Sequence, residues 1–403
     1  MDTSTIELLL GFTDLQVDAV TLLPTQIQVH CQSRFTETVC PICLKKCNTT
    51  HQTQTRIVRD MAIAGKEVYL HLTTQQFHCK SCKRFFYEQF SFLEANRQMT
   101  SRLEHYLYQC GQDSCLQRVA VRENVGWDVL QGIFTRWAKK HIRQQLNYRP
   151  TRLGIDEFAY RKGKKDYAVV LVDLDRGLVW DVLPKRDKEA IKAYFISKGA
   201  TFCANLKVFS CDSGGAAHAV GFSSVAAELF PQAEIIIDRF HLFTHLHAVL
   251  DQCRRSLRQK FPKEVSFKAI KWLLYRAWEK LSIGERQTLM RAFGLSSVLR
   301  KLYFFKNELR NIFETDLTKA QADTLLVDWM EQAQQSAIEG LDKFVTMLQT
   351  WKKYILPFFA TRHSNGLVEG INNAIKTLKR GAYGFRNFEQ FRERILVNFL
   401  EPL

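Results

Sequence analysis

Residues 206–241 read LKVFSCDSGGAAHAVGFSSVAAELFPQAEIIIDRFH. Two short apolar runs, one from Leu206 and one from Ile235, each end in an aspartate, Asp212 and Asp238, and a helical stretch through Phe230 separates them. Runs that are apolar throughout fit strands covered on both faces, as in parallel sheets flanked by helices. Upstream, Leu153 to Asp156, Tyr167 to Asp175 and Leu178 to Leu183 read as three more strands, and Lys188 to Lys198 as a helix. The order strand, strand, strand, helix, strand, helix, strand is that of an α/β domain. It begins near residue 149 and reaches the end of the chain, interrupted by an almost wholly helical insertion at about 250–360. The insertion opens with the basic residues Arg254, Arg255, Arg258, Lys260 and Lys263.

Acidic residues at the ends of apolar strands carry the expected chemistry. Asp156 closes the first strand, Asp212 the fourth and Asp238 the fifth. Functional groups in open α/β sheets gather outside the carboxyl ends of the strands. Carboxylates converging there repel one another unless a cation neutralises them, and Mg²⁺ takes hard oxygen ligands while keeping positions for water and phosphate. A fourth candidate, Glu369, lies in the segment His363-SNGLVEGINNAIKTLKRGAYGFRNFEQFRERI, where Ser364 or Asn365 can cap a helix with Glu369 in its early turns. Lys376, Lys379 and Arg380 follow along that helix and can face a phosphate backbone.

The first region, residues 1–95, holds Cys40-Pro-Ile-Cys43 and Cys79-Lys-Ser-Cys82 around an alternating, strand-like segment from Glu67 to Gln76. Two such knuckles complete a tetrahedral four-sulfur Zn²⁺ site. Their separation exceeds the common template, so a long hairpin must bring them together. Cys31, Cys47, His51 and His78 are read as bystanders. The second region, residues 96–148, is helical. In it Leu116, Val119, Ala120 and Val121 lead to a turn at Glu123-Asn124, and Val129, Leu130, Ile133, Phe134 and Trp137 resume at helical spacing. This reads as a helix-turn-helix whose second helix offers Asp128, Gln131, Arg136 and Lys139 to a DNA groove.

Composition agrees with a DNA partner. Fifty-seven Lys and Arg against 41 Asp and Glu give +16 over 403 residues, a surplus that favours a polyanion. No apolar run approaches the roughly 18 to 20 residues that span a bilayer, and the acidic opening MDTSTIELLL is unlike a secretory signal. The expected location is the cytoplasm. Eleven cysteines cannot all pair within one chain, which favours metal ligation for the clustered ones.

The sequence of a two-knuckle ribbon, a helix-turn-helix, Gly154-Ile-Asp-Glu-Phe-Ala159, Phe230-Pro-x-Ala before Asp238-Arg-Phe-His241, and Ser364-Asn-Gly-x-Val-Glu-Gly-x-Asn-Asn373 resembles the ISL3 family of bacterial insertion-sequence transposases. It covers nearly the whole chain. The resemblance implies a DDE transposase: a ribonuclease-H-like catalytic domain at 149–403, split by a helical insertion, behind a zinc ribbon and an all-α helix-turn-helix domain. By motif, Asp156 is the first ligand for Mg²⁺ or Mn²⁺ and Glu369 the last. Asp212 and Asp238 both compete for the middle place. Strand order favours Asp212, because the fourth strand of a ribonuclease-H-like sheet delivers the second carboxylate, leaving Asp238 and His241 as an accessory pair. Arg186 matches a family position near a phosphate. The expected activity is two-metal-ion cleavage at the element's terminal inverted repeats, followed by joining to target DNA, by a homodimer or larger oligomer. The alternative is a domesticated, catalytically silent relative that binds DNA as a regulator.

Overall fold

A computed structural model describes residues 3–161, 166–211, 221–261, 266–362, 366–382 and 384–400. The chain divides into two compact units, one built on residues 1–141 and one on 142–380 and 384–403. Among the described residues, no helix is long and apolar enough to cross a membrane.

The first unit opens with α1 (Thr3–Leu10), then β1 (Leu15–Leu22), β2 (Gln26–Ser33), the short β3 (Thr38–Val39) and β4 (Lys46–Cys47), β5 (Thr50–Ile63), β6 (Lys66–Cys79) and β7 (Arg84–Tyr87). The main sheet has the order β1-β2-β6-β5, with β7 also on β6. β5 and β6, each of 14 residues, form one hairpin. Its two-residue turn is Ala64-Gly65, where φ is 51° and 75°, the pair of positive values that such tight hairpins need. The expected hairpin is therefore present, but longer than Glu67 to Gln76 suggested. The half of β5 from Thr50 to Thr55 is polar and exposed, so it carries no apolar alternation.

Three helices follow, α2 (Ser101–Asp113), α3 (Leu116–Arg122) and α4 (Trp127–Gln145). Buried Thr100 starts α2 by accepting from the Leu103 N–H, and its hydroxyl donates to Asp60 at 2.6 Å. Leu103, Leu107, Val119, Ala120, Leu130 and Ile133 form the shared core, and Asn124 makes the α3–α4 turn with φ of 50°. Two residues expected on the apolar faces are not there. Val121 is 74% and Val129 51% exposed, because both fall off the 3.6-residue stripe that the other apolar positions define.

The second unit begins with β8 (Arg152–Arg161), β9 (Asp166–Asp173), β10 (Leu178–Leu183), α5 (Lys188–Lys198), α6 (Ala200–Asn205), β11 (Val208–Cys211), α7 (Phe222–Leu229) and β12 (Glu234–Ile237). The sheet order is β10-β9-β8-β11-β12. β8, β11 and β12 run parallel, and β9 is antiparallel to both of its neighbours. Ile155, Leu171, Phe209 and Ile237 bury one face against Ile191, Phe195, Val225 and Phe230 of α5, α7 and the turn after α7.

After β12 the chain becomes helical: α8 (Arg239–Lys260), α9 (Lys271–Tyr275), a 3₁₀ turn at Trp278–Lys280, α10 (Ile283–Leu295), α11 (Ser297–Glu314), α12 (Lys319–Gln335), α13 (Leu341–Ile355) and α14 (Pro357–Thr361). Capping boxes at Ser282/Glu285 and Thr318/Gln321 start α10 and α12. The insertion has its own large core, which reaches Val208 and Ile236 of the sheet. Arg254, one of the basic residues that open the insertion, is buried and held by Asp251 and the Phe267 carbonyl. The chain returns through α15 (Gly366–Gly381) and α16 (Phe388–Asn398). Their residues Val368, Ile371, Ile375, Phe391 and Ile395 cover Phe158, Val170 and Val182 on the other face of β8–β10.

Candidate functional site

The hairpin β5–β6 ends at the four cysteines. Cys40, Cys43, Cys79 and Cys82 place all four sulfurs within 4.8 Å of one another, and they are the group with metal-ligand geometry among the described residues. Cys43 and Cys79 are 3.6 Å apart, Cys40 and Cys82 4.0 Å. A tetrahedron with Zn–S bonds of about 2.3 Å has S···S edges of about 3.8 Å, so the arrangement fits Zn²⁺ without rearrangement. Both knuckles turn on a residue with positive φ directly after the second cysteine, Leu44 at 58° and Lys83 at 52°. The Cys82 backbone N–H donates to Cys79 Sγ, which pulls that thiol down to about 6 and favours the ligating thiolate. Cys47 is buried beside the four, with its thiol directed to the Lys45 carbonyl. His51 and His78 stack against Phe85 instead.

On α4, Gln131 is half-buried and donates to Thr135, while Lys139 is exposed. Arg136 corrects the expectation of a solvent-facing reader. Its guanidinium binds Glu104, a carboxylate only 2% exposed that also accepts from Arg97 at 2.9 Å, and it approaches Glu94 at 3.7 Å. A carboxylate buried that deeply needs cations, and α4 supplies one.

The sheet of the second unit sets out the carboxylates by register. Ile155 of β8 pairs with Cys211 of β11, and Cys211 pairs with Ile237 of β12. In the sequence, the residue after each of these three is an aspartate: Asp156, Asp212 and Asp238. Asp212, expected as the middle ligand, lies outside the described residues, as do Ser364 and Asn365, expected to cap α15. Asp156 does not end its strand as expected. β8 runs on to Arg161 because β9 pairs with it to the end. Asp156 therefore lies inside β8, opposite Val170 of β9, on the face covered by α15 and α16.

Across that face, Asn372 of α15 is 3% exposed and donates through Nδ2 to Asp156 Oδ2 at 2.5 Å and to the Glu157 carbonyl at 3.4 Å. Its Oδ1 is buried with no hydrogen-bond partner among the described residues. Glu369, one turn earlier on α15, is exposed. It lines a cleft of about 320 Å³ together with Asp238, Arg239, His247, Lys306 and Arg310. Asp238 is 7% exposed and caps α8 by accepting from the Phe240 N–H at 3.2 Å. His241 lies on the first turn of α8, its ring edge-on to Phe240. Burial pushes Lys306 down to about 7, and its amine donates to the Arg276 carbonyl at 2.7 Å. Burial likewise pushes His247, stacked on Tyr275 at 4.2 Å, down to about 4.

The expected phosphate contacts divide. Lys376 and Arg380 are exposed on α15, bonded to Asn373 and Thr377 of their own helix. Lys379 folds back onto the Ala159 carbonyl and latches α15 to β8. Arg186 is taken up by Glu157, at 2.8 and 2.7 Å, and stacks 4.0 Å over Tyr167. Asn372 and the cations of the cleft were missed in the sequence. The spacing of three between Glu369 and Asn372 on one helix was the available signal, whereas Lys306 and His247 come from distant helices and give none.

A family model described as a transposase, the ISL3 DDE model, matches residues 153–395, and one described as the zinc-finger of the transposases IS204/IS1001/IS1096/IS1165 matches residues 36–82. The transposase for insertion sequence element IS1001 of Bordetella parapertussis is 30% identical over 367 residues, covering 90% of this chain and 88% of that protein. The chain belongs to the ISL3 family of insertion-sequence transposases. A second relative, the transposase for IS1557 of Mycobacterium tuberculosis, is 27% identical over 65% of this chain and 63% of its own length. The four-cysteine group of the transposase falls inside the zinc-finger match, so the structural Zn²⁺ and the family agree. The DDE match covers most of the mixed α/β unit, and family membership implies DNA as the partner.

Proposed function

We propose that this transposase cleaves DNA at the terminal inverted repeats of its element and joins the freed ends to target DNA, using divalent ions held by Asp156, Asp212 and Glu369. The observation that carries this reading is that α15, the helix carrying Glu369, is fastened over Asp156 of β8 through Asn372. The strand order, with an antiparallel β9 between β8 and β10, supports a ribonuclease-H-like domain over 149–403 split by the helices before α15. A zinc ribbon over 1–95 and a helix-turn-helix over 96–148 would bind the repeats, with at least two protomers bridging two ends.

The carboxylates are hard oxygen donors that suit Mg²⁺ or Mn²⁺. Such ions, when bound, lower the pKa of an attacking water and stabilise charge on the scissile phosphate. The chain's own residues hold the ions and orient the backbone. Lys376 and Arg380, exposed along α15, receive phosphates, and Arg186 joins them if DNA displaces Glu157. Asp238 already serves α8 as its cap, which supports Asp212 as the middle ligand and leaves Asp238 and His241 accessory.

The test is strand transfer of a labelled element end in Mg²⁺. Joining is expected to disappear in Asp156→Ala, Asp212→Ala and Glu369→Ala while the folded proteins still bind the end. Asp238→Ser keeps an N-cap acceptor and is expected to retain joining. Joining by Asp212→Ala with loss in Asp238→Ser would exchange the two aspartates, and DNA binding without joining in the unaltered protein would make it a silent regulator.

A further inference from the structure

Asn372 is nearly as inaccessible as the core around it, yet it is an amide on a helix face otherwise built from Val368, Ile371 and Ile375. A buried amide without full hydrogen bonding costs stability, so its presence needs a reason. Its orientation follows from its partners. Both groups within reach of Nδ2, the Asp156 carboxylate and the Glu157 carbonyl, are acceptors, so the NH₂ faces β8 and Oδ1 faces away from them. That oxygen has no donor among the described residues. Packing alone would be better served by an aliphatic residue of similar volume, such as leucine. A carboxylate that binds a cation, in contrast, needs a neighbour to fix its rotamer, and the water carried by a cation needs acceptors.

We infer that Asn372 is a positioning residue of the divalent-ion site: its Nδ2 fixes the Asp156 carboxylate, and its Oδ1 accepts a hydrogen bond from water bound to the ion. The inference rests on the reading of Asp156 and Glu369 as ion ligands. It also links the two ligands mechanically. Asn372 is three residues from Glu369 on α15, so the bond that orients Asp156 also sets the rotation of the helix that presents Glu369.

The experiment is Mn²⁺ binding to the zinc-loaded full chain, followed by electron paramagnetic resonance, together with the Mg²⁺ concentration that half-saturates strand cleavage. Removing a group that orients a metal ligand weakens affinity by about 10- to 100-fold. Asn372→Ala is expected to lose that much Mn²⁺ affinity and to raise the Mg²⁺ requirement in parallel, with bound zinc unchanged. Asn372→Ser, a smaller perturbation, covers the case in which the alanine variant does not fold. Asn373→Ala, on the exposed side of the same helix, reports general loosening of α15 and leaves Mn²⁺ affinity where it is. Folded Asn372 variants that bind Mn²⁺ as tightly as the unaltered chain overturn the inference alone. An unaltered chain that takes up no Mn²⁺, or takes it up equally after Asp156→Ala, overturns the reading of the carboxylates and this inference with it.

Discussion

Gly111 and Gly132 lie in α2 and α4 of the same three-helix core, and replacing each with alanine is expected to move stability in opposite directions. In a helix interior, alanine in place of glycine gains about 1 kcal/mol. At Gly132 nothing lies within 4 Å of the added methyl, so the full gain is available. At Gly111 the new Cβ would stand 2.8 Å from Phe134 Cδ2 and 2.9 Å from Leu116 Cδ2. Phe134 is 2% exposed and has nowhere to go. Overpacking of this kind costs roughly 1 to 3 kcal/mol, which leaves a net loss of up to about 2 kcal/mol after the helical gain. The two variants should thus differ by roughly 1 to 3 kcal/mol, or about 5- to 150-fold in the equilibrium for local opening. Amide hydrogen exchange read by mass spectrometry on peptides from α2 to α4 isolates this core from the rest of the chain. Faster exchange in Gly111→Ala and slower exchange in Gly132→Ala are expected. Equal protection in both would refute the close approach of α2 to α4 and, with it, the geometry of the proposed DNA-reading helices.

Cys43→Ser is expected to lose the single zinc and the protease resistance of residues 36–82, measured by elemental analysis and limited digestion; a folded variant with full zinc would exclude Cys43 as a ligand. Arg136→Ala should lower the melting temperature by removing one of two cations from Glu104, whereas Lys139→Ala should weaken DNA binding at unchanged melting temperature; a stable Arg136→Ala defective only in DNA binding would restore Arg136 as a reader. For Lys306, burial puts the folded value near 7 against an ordinary 10.5. Between those values the folded chain holds fewer protons than the unfolded one, so this group makes stability rise with pH; below pH 7 its full penalty is present. Lys306→Met should remove that rise, giving its largest relative stabilisation near pH 6 and a vanishing one near pH 10 in thermal melts. A pH-independent difference between the two proteins would contradict the burial.

What the sequence disclosed about the sheet came from runs such as Phe209-Ser-Cys and Ile235-Ile-Ile, whose apolar character reflects burial on both faces. It disclosed little of β5, because Thr50 to Thr55 face solvent and obey only the hairpin's hydrogen bonding. Asp156 seemed to end β8 since acidic Asp156-Glu157 interrupts the apolar run, yet a strand continues wherever a neighbour pairs with it, and β9 does so through Arg161. The carboxylate partners of Arg136 and Arg186 were illegible for one reason. A cation's partner is set by tertiary structure, and Glu104 and Glu157 bring theirs from other elements. The place of Glu369 in the first turn of α15 was legible, but the amide that couples this helix to Asp156 depends on a contact across 216 positions.

That separation also orders events in time. Ribosomes add about 5 to 20 residues per second, so roughly 10 to 40 s pass between the emergence of Asp156 and that of Asn372, 216 positions later. All four zinc-binding thiols have been made by residue 82. A growing or prematurely ended chain can therefore hold its metal-bound amino-terminal module long before β8 meets α15.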